Sequence, residues 1–322
     1  MIMISRISIL LFTISLLALA CVENTISIRI HPDGQSYFKF HSYGDSLDIF
    51  NDDFIHPSGS MILTSSRGLG EDDNWIHTTE VILNDSVHIF TYDEDPSLGY
   101  KYNTRVSTSF FKTEYEFRLT FSGRMIKLEY PRLYSAMTSE ELDSLYWAPE
   151  TFTILMKKGL DDLSSKLLIE NDLIFNDRLV NHIRNSFERI EDREILNRIK
   201  KNKATLLSEL LQPFKVNDSL PIILAQAMQP HEDRLRKTID LHDDTFIIKL
   251  LMPGQPHYTN ANDIRKDTLI WNFGIDSLLH TDHNLMAKSV IYDFAPLQKL
   301  VIFISIILFL FMFFLMRRGL LW

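Results

Sequence analysis

The sequence predicts an α+β fold: an antiparallel, β-rich extracytoplasmic body with an inserted amphipathic helical region, followed by one C-terminal transmembrane helix. Alternating apolar and polar residues, the pattern of half-buried strands, occur both before residue 137 and after residue 230. Between these parts apolar residues recur three or four positions apart, which is typical of amphipathic helices. Strands and helices do not alternate regularly, so this order favours α+β over a parallel α/β fold.

Residues 1–20 have the features of a secretory signal peptide. Arg6 precedes an apolar stretch of roughly 13 residues, which at about 1.5 Å per residue is too short to cross a bilayer. Ala18 and Ala20 satisfy the small-x-small rule for cleavage before Cys21, and the same residues are similar to a bacterial lipobox, whose cysteine is acylated. Acylation of Cys21, which we favour, simple cleavage and an uncleaved anchor all stay open.

Residues 21–137 are predicted to form the β-rich N-terminal part of the body. "TISIRIH" and "QSYFKFHSYG" alternate on either side of Pro32-Asp33-Gly34, which predicts a β-hairpin. Further strand patterns follow in "WIHTTEVILN", "SVHIFTYDE", "FFKTEYEFRLTFSG" and "RMIKLEYP". Their many aromatic residues predict packing beneath the helical insertion. The alternative is a cleft between sheet and helices that accepts an apolar ligand such as a lipid tail.

Residues 138–230 are predicted to form the helical insertion. Thr138 and Glu141 match a capping box, which predicts a helix that begins there and stops at Pro149. From about residue 152 to 211 we expect two or three amphipathic helices, broken near Asn176 and Asn202 and ended at Pro213.

"LPIILAQAM" predicts a further short helix with Pro221 in its first turn. The acidic segments "HEDR" at 231–234 and "HDD" at 242–244 indicate solvated loops.

Residues 231–296 are predicted to form a C-terminal β meander of the same body. "TFIIKLLMPG", "DTLIWNFG" and "NLMAKSVIYD" have strand patterns, and Leu269, Trp271 and Phe273 fall on one strand face. The last strand pattern ends near Asp293. A strand, rather than a flexible stalk, is therefore expected to lead the chain to the bilayer.

Residues 297–316 are predicted to span a membrane, with 317–322 as a cytoplasmic tail. The apolar run of about 17 residues reaches about 26 Å, enough to cross if Lys299 snorkels at one end and Arg317 and Arg318 end the span. The arginine pair predicts a cytoplasmic C-terminus, and hence a single-pass protein of the bacterial inner (cytoplasmic) membrane. An acylated Cys21 would be a second tether that holds the first hairpin at the same bilayer surface.

The charge balance excludes one class of partner. The chain has 33 basic and 42 acidic residues; without Arg6, Lys299, Arg317 and Arg318, 29 basic residues face 42 acidic ones, a net charge of about −13. Such a body should be repelled by anionic lipid head groups and should not bind nucleic acid. One cysteine permits no internal disulfide, so the stability of the body must come from a packed core.

His280, Asp282 and His283, with His257, form the candidate metal site, because imidazole and carboxylate groups together bind Zn²⁺ or Ni²⁺. The alternative, which we prefer, is a polar turn between two strands. The sequence has no Gly-x-Ser-x-Gly elbow and no phosphate-binding loop. We therefore expect no catalytic residues, no bound metal or other cofactor, and no enzymatic activity.

Several strand and turn motifs carry a family resemblance: "IRIHPDGQSYFKF", "YEFRLTFSG", "MTSEELDSLYW", "LMPGQPHYTNAND", "LIWNF" and "DHNLMAKSVIYDF". In these motifs, and in the order of leader cysteine, β-rich body and C-terminal anchor, the chain resembles uncharacterised bacterial membrane-anchored envelope lipoproteins. More distantly it is similar to the LppM-like lipoproteins of mycobacteria. The resemblance implies an architecture and supplies no catalytic residues.

These observations predict a membrane-anchored extracytoplasmic interaction or scaffolding module of the bacterial envelope, without catalysis. Its partners would be the bilayer, through residues 297–316 and acylated Cys21, and an unknown envelope protein. A lipid or apolar-ligand binding protein of the envelope is the alternative. A metal-dependent hydrolase at His280 and His283 is the third hypothesis.

Overall fold

The computed structural model describes residues 22–45, 49, 54, 56–57, 62–70, 74–84, 86–90, 97–165, 173–187 and 192–317. The predicted signal peptide, Cys21, Arg318 and the rest of the predicted tail after Arg317 lie outside the described residues.

Within these ranges the chain forms twelve strands and seven α-helices. The strands are β1 (Glu23–Ile30), β2 (Ser36–Gly44), β3 (Ile62–Leu69), β4 (Trp75–Leu83), β5 (Val87–Phe90), β6 (Tyr100–Thr108), β7 (Lys112–Phe121), β8 (Thr245–Leu251), β9 (Gln255–Thr259), β10 (Asp263–Arg265), β11 (Thr268–Gly274) and β12 (His283–Tyr292). The helices are α1 (Ile126–Glu129), α2 (Pro131–Thr138), α3 (Ala148–Ser165), α4 (Leu173–Phe187), α5 (Asp192–Leu211), α6 (Leu220–Asp240) and α7 (Ala295–Arg317).

The strands form two sheets. One has the order β10-β11-β8-β1-β2-β4-β3, and the other has the order β5-β6-β7-β12-β9. The paired strands of the described chain are antiparallel except β1 and β8, which are parallel. Because β1 and β8 are neighbours, the N-terminal and C-terminal β parts fold as one body around the helical insertion. The α+β prediction is confirmed.

Aromatic side chains fill the space between the two sheets. Phe38 and Phe40 of β2 are fully buried, and Phe38 meets Tyr102 of β6 edge to face with ring centroids 4.9 Å apart. Phe117 of β7 packs on Trp271 of β11 at 5.9 Å. The sequence predicted that the aromatic residues pack beneath the helical insertion or line a cleft between sheet and helices. They pack between the sheets instead, because alternate residues of each sheet face the other sheet.

The two ends of this sandwich differ. β12 pairs with β7 from His283 opposite Phe121 to Tyr292 opposite Lys112. We call the end at Tyr292, where α7 follows, the proximal end, and the opposite end the distal end. At the distal end Phe121 meets Phe273 of the other sheet, with ring centroids 5.3 Å apart.

β1 begins at the distal end. Val22 O accepts a hydrogen bond of 3.0 Å from Thr245 N, where β8 starts. At the other end of β1, Pro32 O accepts a hydrogen bond of 3.0 Å from the Tyr115 hydroxyl, close to the proximal end of β7. The predicted hairpin is therefore present, but the prediction that it begins beside the end of the last strand, where the anchor follows, is wrong. Its eight-residue first strand, about 23 Å long, separates Val22 from the proximal end.

The helices α1–α6, which we call the helical lobe, attach at the distal end. Arg124 is 5% exposed and its backbone N donates to Leu278 O at 2.8 Å. Its guanidinium donates to Thr238 Oγ1 at 2.7 Å, to Arg234 O at 2.8 Å and to Ser97 O at 3.2 Å. One buried arginine thus connects α6 with two segments of the sandwich.

The first helices differ from the prediction. The segment expected to be a strand forms α1, preceded by Met125 in the left-handed region (φ 59). Pro131 opens α2, because its fixed φ suits the first turn of a helix. Thr138 ends α2, and its hydroxyl donates back to Tyr134 O at 2.9 Å, so it does not form the predicted capping box. Pro149 lies in the first turn of α3 and does not end a helix.

The later helices agree in part. Asn202 interrupts α5 with non-helical angles (φ −163, ψ 92), and Pro221 lies in the first turn of α6, both as predicted. Asn176 lies inside α4 and does not break it. α6 continues past Pro230, so residues 231–234 are helical, in contrast to the loop that their charges predicted.

Replacing Gly254 with alanine should lower stability strongly. Gly254 has φ +77, and an added Cβ would lie 2.3 Å from Val290 O in β12. We expect a loss of about 2–4 kcal/mol in the free energy of unfolding, since a strained φ and a backbone clash coincide. Thermal unfolding of the detergent-solubilised chain by circular dichroism measures it. Gly68→Ala, where a Cβ would meet nothing within 4 Å, is the control. Equal melting temperatures for the two variants would contradict the prediction.

Candidate functional site

Asp282 and His283 of the candidate metal site have other contacts. His280 is exposed in the turn before β12. Asp282 Oδ1 accepts a hydrogen bond of 2.8 Å from Gly123 N, and the His283 ring packs on Phe273 with ring centroids 4.6 Å apart. Burial lowers the pKa of His283. In the part of the chain that the structure describes, no group of three His, Cys, Asp or Glu side chains is placed to hold a metal ion.

The C-terminal helix α7 is long and apolar enough to cross a membrane. Its segment Leu297–Arg317 has 21 residues and is not buried against the body. At about 1.5 Å per residue it extends about 32 Å, close to the ~30 Å of a hydrocarbon core. The hydroxyl of Ser305 donates to Val301 O at 2.8 Å, so this polar group is satisfied within the helix. Lys299 and Arg317 lie near its two ends, as predicted.

The junction between body and helix is short and hydrogen-bonded. Two residues separate β12 from α7. Asp293 N donates to Phe111 O in the β6–β7 hairpin at 2.9 Å. The Asp293 carboxylate accepts from Ala295 N at 2.9 Å, which caps the first turn of α7. The prediction that a strand, not a stalk, leads into the helix is confirmed.

Four exposed aromatic residues surround this junction, and we call them the aromatic rim: Phe110, Phe111, Tyr292 and Phe294. Phe110 and Phe111 form the tip of the β6–β7 hairpin, closed by a 2.8 Å hydrogen bond from Ser109 N to Lys112 O. The rings of Tyr292 and Phe294 are stacked with centroids 6.1 Å apart. Each rim residue is between 45% and 55% exposed, in contrast to the aromatic residues between the sheets.

Among the described residues, each sheet has a depression on its outer face. One, of about 590 Å³, is on the seven-stranded sheet and includes Arg29 and Lys249. The other, of about 290 Å³, is on the five-stranded sheet and includes Arg105, Arg118 and Lys288. Both have charged side chains in their walls. The first is also lined by Ile28, Ile82 and Leu251, but both are open to solvent, in contrast to the enclosed cavity that suits a lipid tail.

A buried chain of hydrogen bonds crosses the inner face of the seven-stranded sheet near its distal end. Asn24 Nδ2 donates to Asp244 Oδ2 at 2.9 Å, and Asn24 Oδ1 accepts from the Ser42 hydroxyl at 2.5 Å. Ser42 Oγ is 2.9 Å from His56 Nε2, and His56 Nδ1 is 3.1 Å from Thr79 Oγ1. We call these residues, with His77, the histidine chain. Asp244, predicted to lie in a solvated loop, is 7% exposed.

His56 is held neutral in this setting. Its ring stacks on that of His77 with centroids 3.8 Å apart, and it also contacts Phe40 and Phe54. Burial, and then electrostatic repulsion from His77 and Arg67, lower the pKa of His56 from 6.5 to about 3. A proton on this imidazole would be desolvated and would face the guanidinium of Arg67.

The pairing of Ser42 with His56 does not fit an activated nucleophile. Ser42 is 3% exposed, and its hydroxyl proton is directed to Asn24 Oδ1. A histidine with a pKa of about 3 is also a weak general base near neutral pH. The arrangement satisfies buried polar groups at one end of an aromatic core and makes that end sensitive to acid.

Sequence reasoning missed the histidine chain. Asn24, Ser42 and Thr79 come from three different strands, and Asp244 from a segment more than two hundred residues after Asn24. One local signal was present. Ser42 lies on the same strand face as Phe38 and Phe40, and a polar residue on an apolar face needs a buried partner.

Comparisons with known proteins give little further information. No family model matches the chain, and no curated protein matches it significantly. Among solved structures, the chain is similar to the folded domain of the Mycobacterium tuberculosis protein LppM, determined by NMR. The identity is 9% and the TM-score 0.30, over 85% of this chain and 92% of that domain. A likeness at this level supports no argument about function.

Proposed function

We propose that the protein is a membrane-anchored interaction or scaffolding module of the bacterial envelope, with its body outside the cytoplasm and its C-terminus inside. The observation that carries the proposal is the two-residue, hydrogen-bonded junction between β12 and the apolar helix α7. A short, capped junction holds the body next to the membrane. This suits a protein that offers a binding surface to a partner at a fixed place in the envelope.

The position of the helical lobe supports the interaction role. The lobe is attached at the distal end, away from the bilayer, and the Arg124 hydrogen bonds hold it to the sandwich. Leu128 and Ile222 of the lobe are 69% and 55% exposed. Exposed aliphatic side chains of this kind are candidate contacts for an envelope protein partner.

The lipid-binding alternative has less support. It depended on aromatic residues lining a cleft beneath the helices, and Phe38, Phe40, Tyr102, Phe117 and Trp271 are committed to the core between the sheets. The predicted second tether at an acylated Cys21 has less support as well. Val22 lies at the distal end, so an acyl chain on the preceding residue would not enter the bilayer beside the start of α7.

Lysine substitutions in the centre of α7 should prevent spanning. With an epitope tag after Trp322, protease added to spheroplasts should leave a protected C-terminal fragment of the parent protein. In Ile306→Lys/Phe309→Lys this fragment should disappear, because each central lysine costs about 2.5–3.5 kcal/mol on insertion. Immunoblotting of the tag before and after lysis measures it.

The matched control is Leu63→Lys/Leu128→Lys, which adds the same charge at two exposed body positions and should keep the fragment. A fragment that persists in the α7 variant would overturn the proposal. Protection of the whole parent body in intact spheroplasts would overturn it as well.

A further inference from the structure

We infer that the aromatic rim inserts into the interfacial layer of the bilayer that α7 enters, so that the tip of the β6–β7 hairpin is a second membrane contact of the body. The inference rests on the proposed function, since it needs α7 to be in the membrane. It adds an orientation: with two contacts, the sandwich stands on its proximal end and the helical lobe points away from the bilayer.

The tip of the β6–β7 hairpin has an unusual composition. Short hairpin loops are normally polar, with Asn, Asp or Gly at the turn positions. Here Phe110 and Phe111 occupy the tip, and they are 55% and 45% exposed. The same body buries Phe38, Phe117 and Phe121 to 2% exposure or less, so it has ample core to hold aromatic rings. Two phenylalanines left outside that core need another apolar environment.

The hairpin tip lies at the height at which the membrane helix begins. The hydrogen bond from Asp293 N to Phe111 O places the tip level with the strand–helix junction. Phe294 precedes Leu297, where the apolar segment of α7 begins, by three residues, or about 4.5 Å along a helix axis. The interfacial layer outside the hydrocarbon core is about 5–7 Å thick on each side. The rim therefore lies within the layer where aromatic side chains are enriched.

The aromatic rim combines apolar rings with polar and cationic groups. Tyr292 is 55% exposed and carries a hydroxyl, so its apolar ring and polar end suit the boundary between headgroups and acyl chains. Lys112, which follows the tip and pairs with Glu114 at 3.0 Å, places a cation at headgroup level. Lys299 does the same on the first turns of α7. The occupant that fits this surface is a lipid bilayer, continuous with the one around α7.

The test uses the full-length chain with Cys21→Ser, reconstituted in vesicles of three parts phosphatidylcholine and one part phosphatidylglycerol. A nitroxide label is attached to one new cysteine at a time: Phe110→Cys at the tip, Val106→Cys higher on the same hairpin, Phe309→Cys in α7 and Asp143→Cys in the helical lobe. Collision rates with O₂, which concentrates in the bilayer, and with a water-soluble nickel chelate give the depth of each label.

We expect the ratio of O₂ to nickel collisions at position 110 to be several-fold higher than at 106 and 143 and lower than at 309. A ratio at 110 equal to those at 106 and 143, with 309 deep in the bilayer, overturns the inference and leaves the proposed function intact. A water-exposed label at 309 overturns the proposed function itself. Because all labelled side chains are exposed, the substitutions should leave the fold unchanged.

Discussion

Replacing Arg124 with methionine should destabilise the protein by about 3 kcal/mol and loosen the helical lobe from the sandwich. The substitution removes the guanidinium that donates hydrogen bonds to Thr238 Oγ1, Arg234 O and Ser97 O. Thr238 keeps its hydrogen bond to Arg234 O, but Ser97 O loses this donor in a buried site. Hydrogen bonds to a charged group each contribute about 1.5–3 kcal/mol to stability. Urea unfolding followed by tryptophan fluorescence, on the detergent-solubilised chain, measures the loss.

Two variants make this prediction specific. Arg118→Met removes the same charge from the exposed face of β7 and should change stability by no more than about 0.5 kcal/mol. Arg124→Lys keeps the charge but not the planar fork of donors, so its stability should lie between those of the parent and Arg124→Met. If Arg124→Met and Arg118→Met unfold at the same urea concentration, the guanidinium does not hold the lobe.

Local patterns in the sequence were enough to predict most of the strands. The alternation around Pro32-Asp33-Gly34 gave the β1–β2 hairpin, and Leu269, Trp271 and Phe273 do share the buried face of β11. These predictions depend only on residues close in sequence and on one buried face. The apolar run that became α7 was equally clear, because its composition alone decides its environment.

Predictions that depended on distant residues were wrong. The pattern of residues 124–131 suits a strand as well as a short helix. Hydrogen bonds from the Arg124 and Lys127 backbones to Leu278 and Leu279, far away in sequence, accompany the helical outcome. Likewise, no local pattern indicates that β1 pairs in parallel with β8. This pairing places the start of β1 at the distal end. The candidate site was equally hidden, because the histidine chain exists only after that pairing.

Stability should fall by about 3 kcal/mol between pH 7 and pH 4 through His56 alone. Burial, His77 and Arg67 lower the pKa of His56 to about 3 in the folded protein, while in the unfolded chain it returns to about 6.5. Between these two values the unfolded chain binds more protons than the folded one, so stability is full above about pH 6.5 and decreases as the pH falls. The lowered pKa values of His41 and His283 act in the same direction.

His242 acts in the opposite direction. Burial lowers its pKa, but hydrogen bonds to Met137 O and Asp243 outweigh this and raise the pKa overall, so its contribution is present at low pH and is lost as the pH rises. His56 can be separated from these groups by substitution. His56→Gln should be less stable than the parent at pH 7, yet should lose about 3 kcal/mol less between pH 7 and pH 4 in urea titrations. His280→Gln, at an exposed position, should keep the parent's pH dependence. If His56→Gln keeps it too, the acid sensitivity comes from other residues, and the histidine chain has no special part in it.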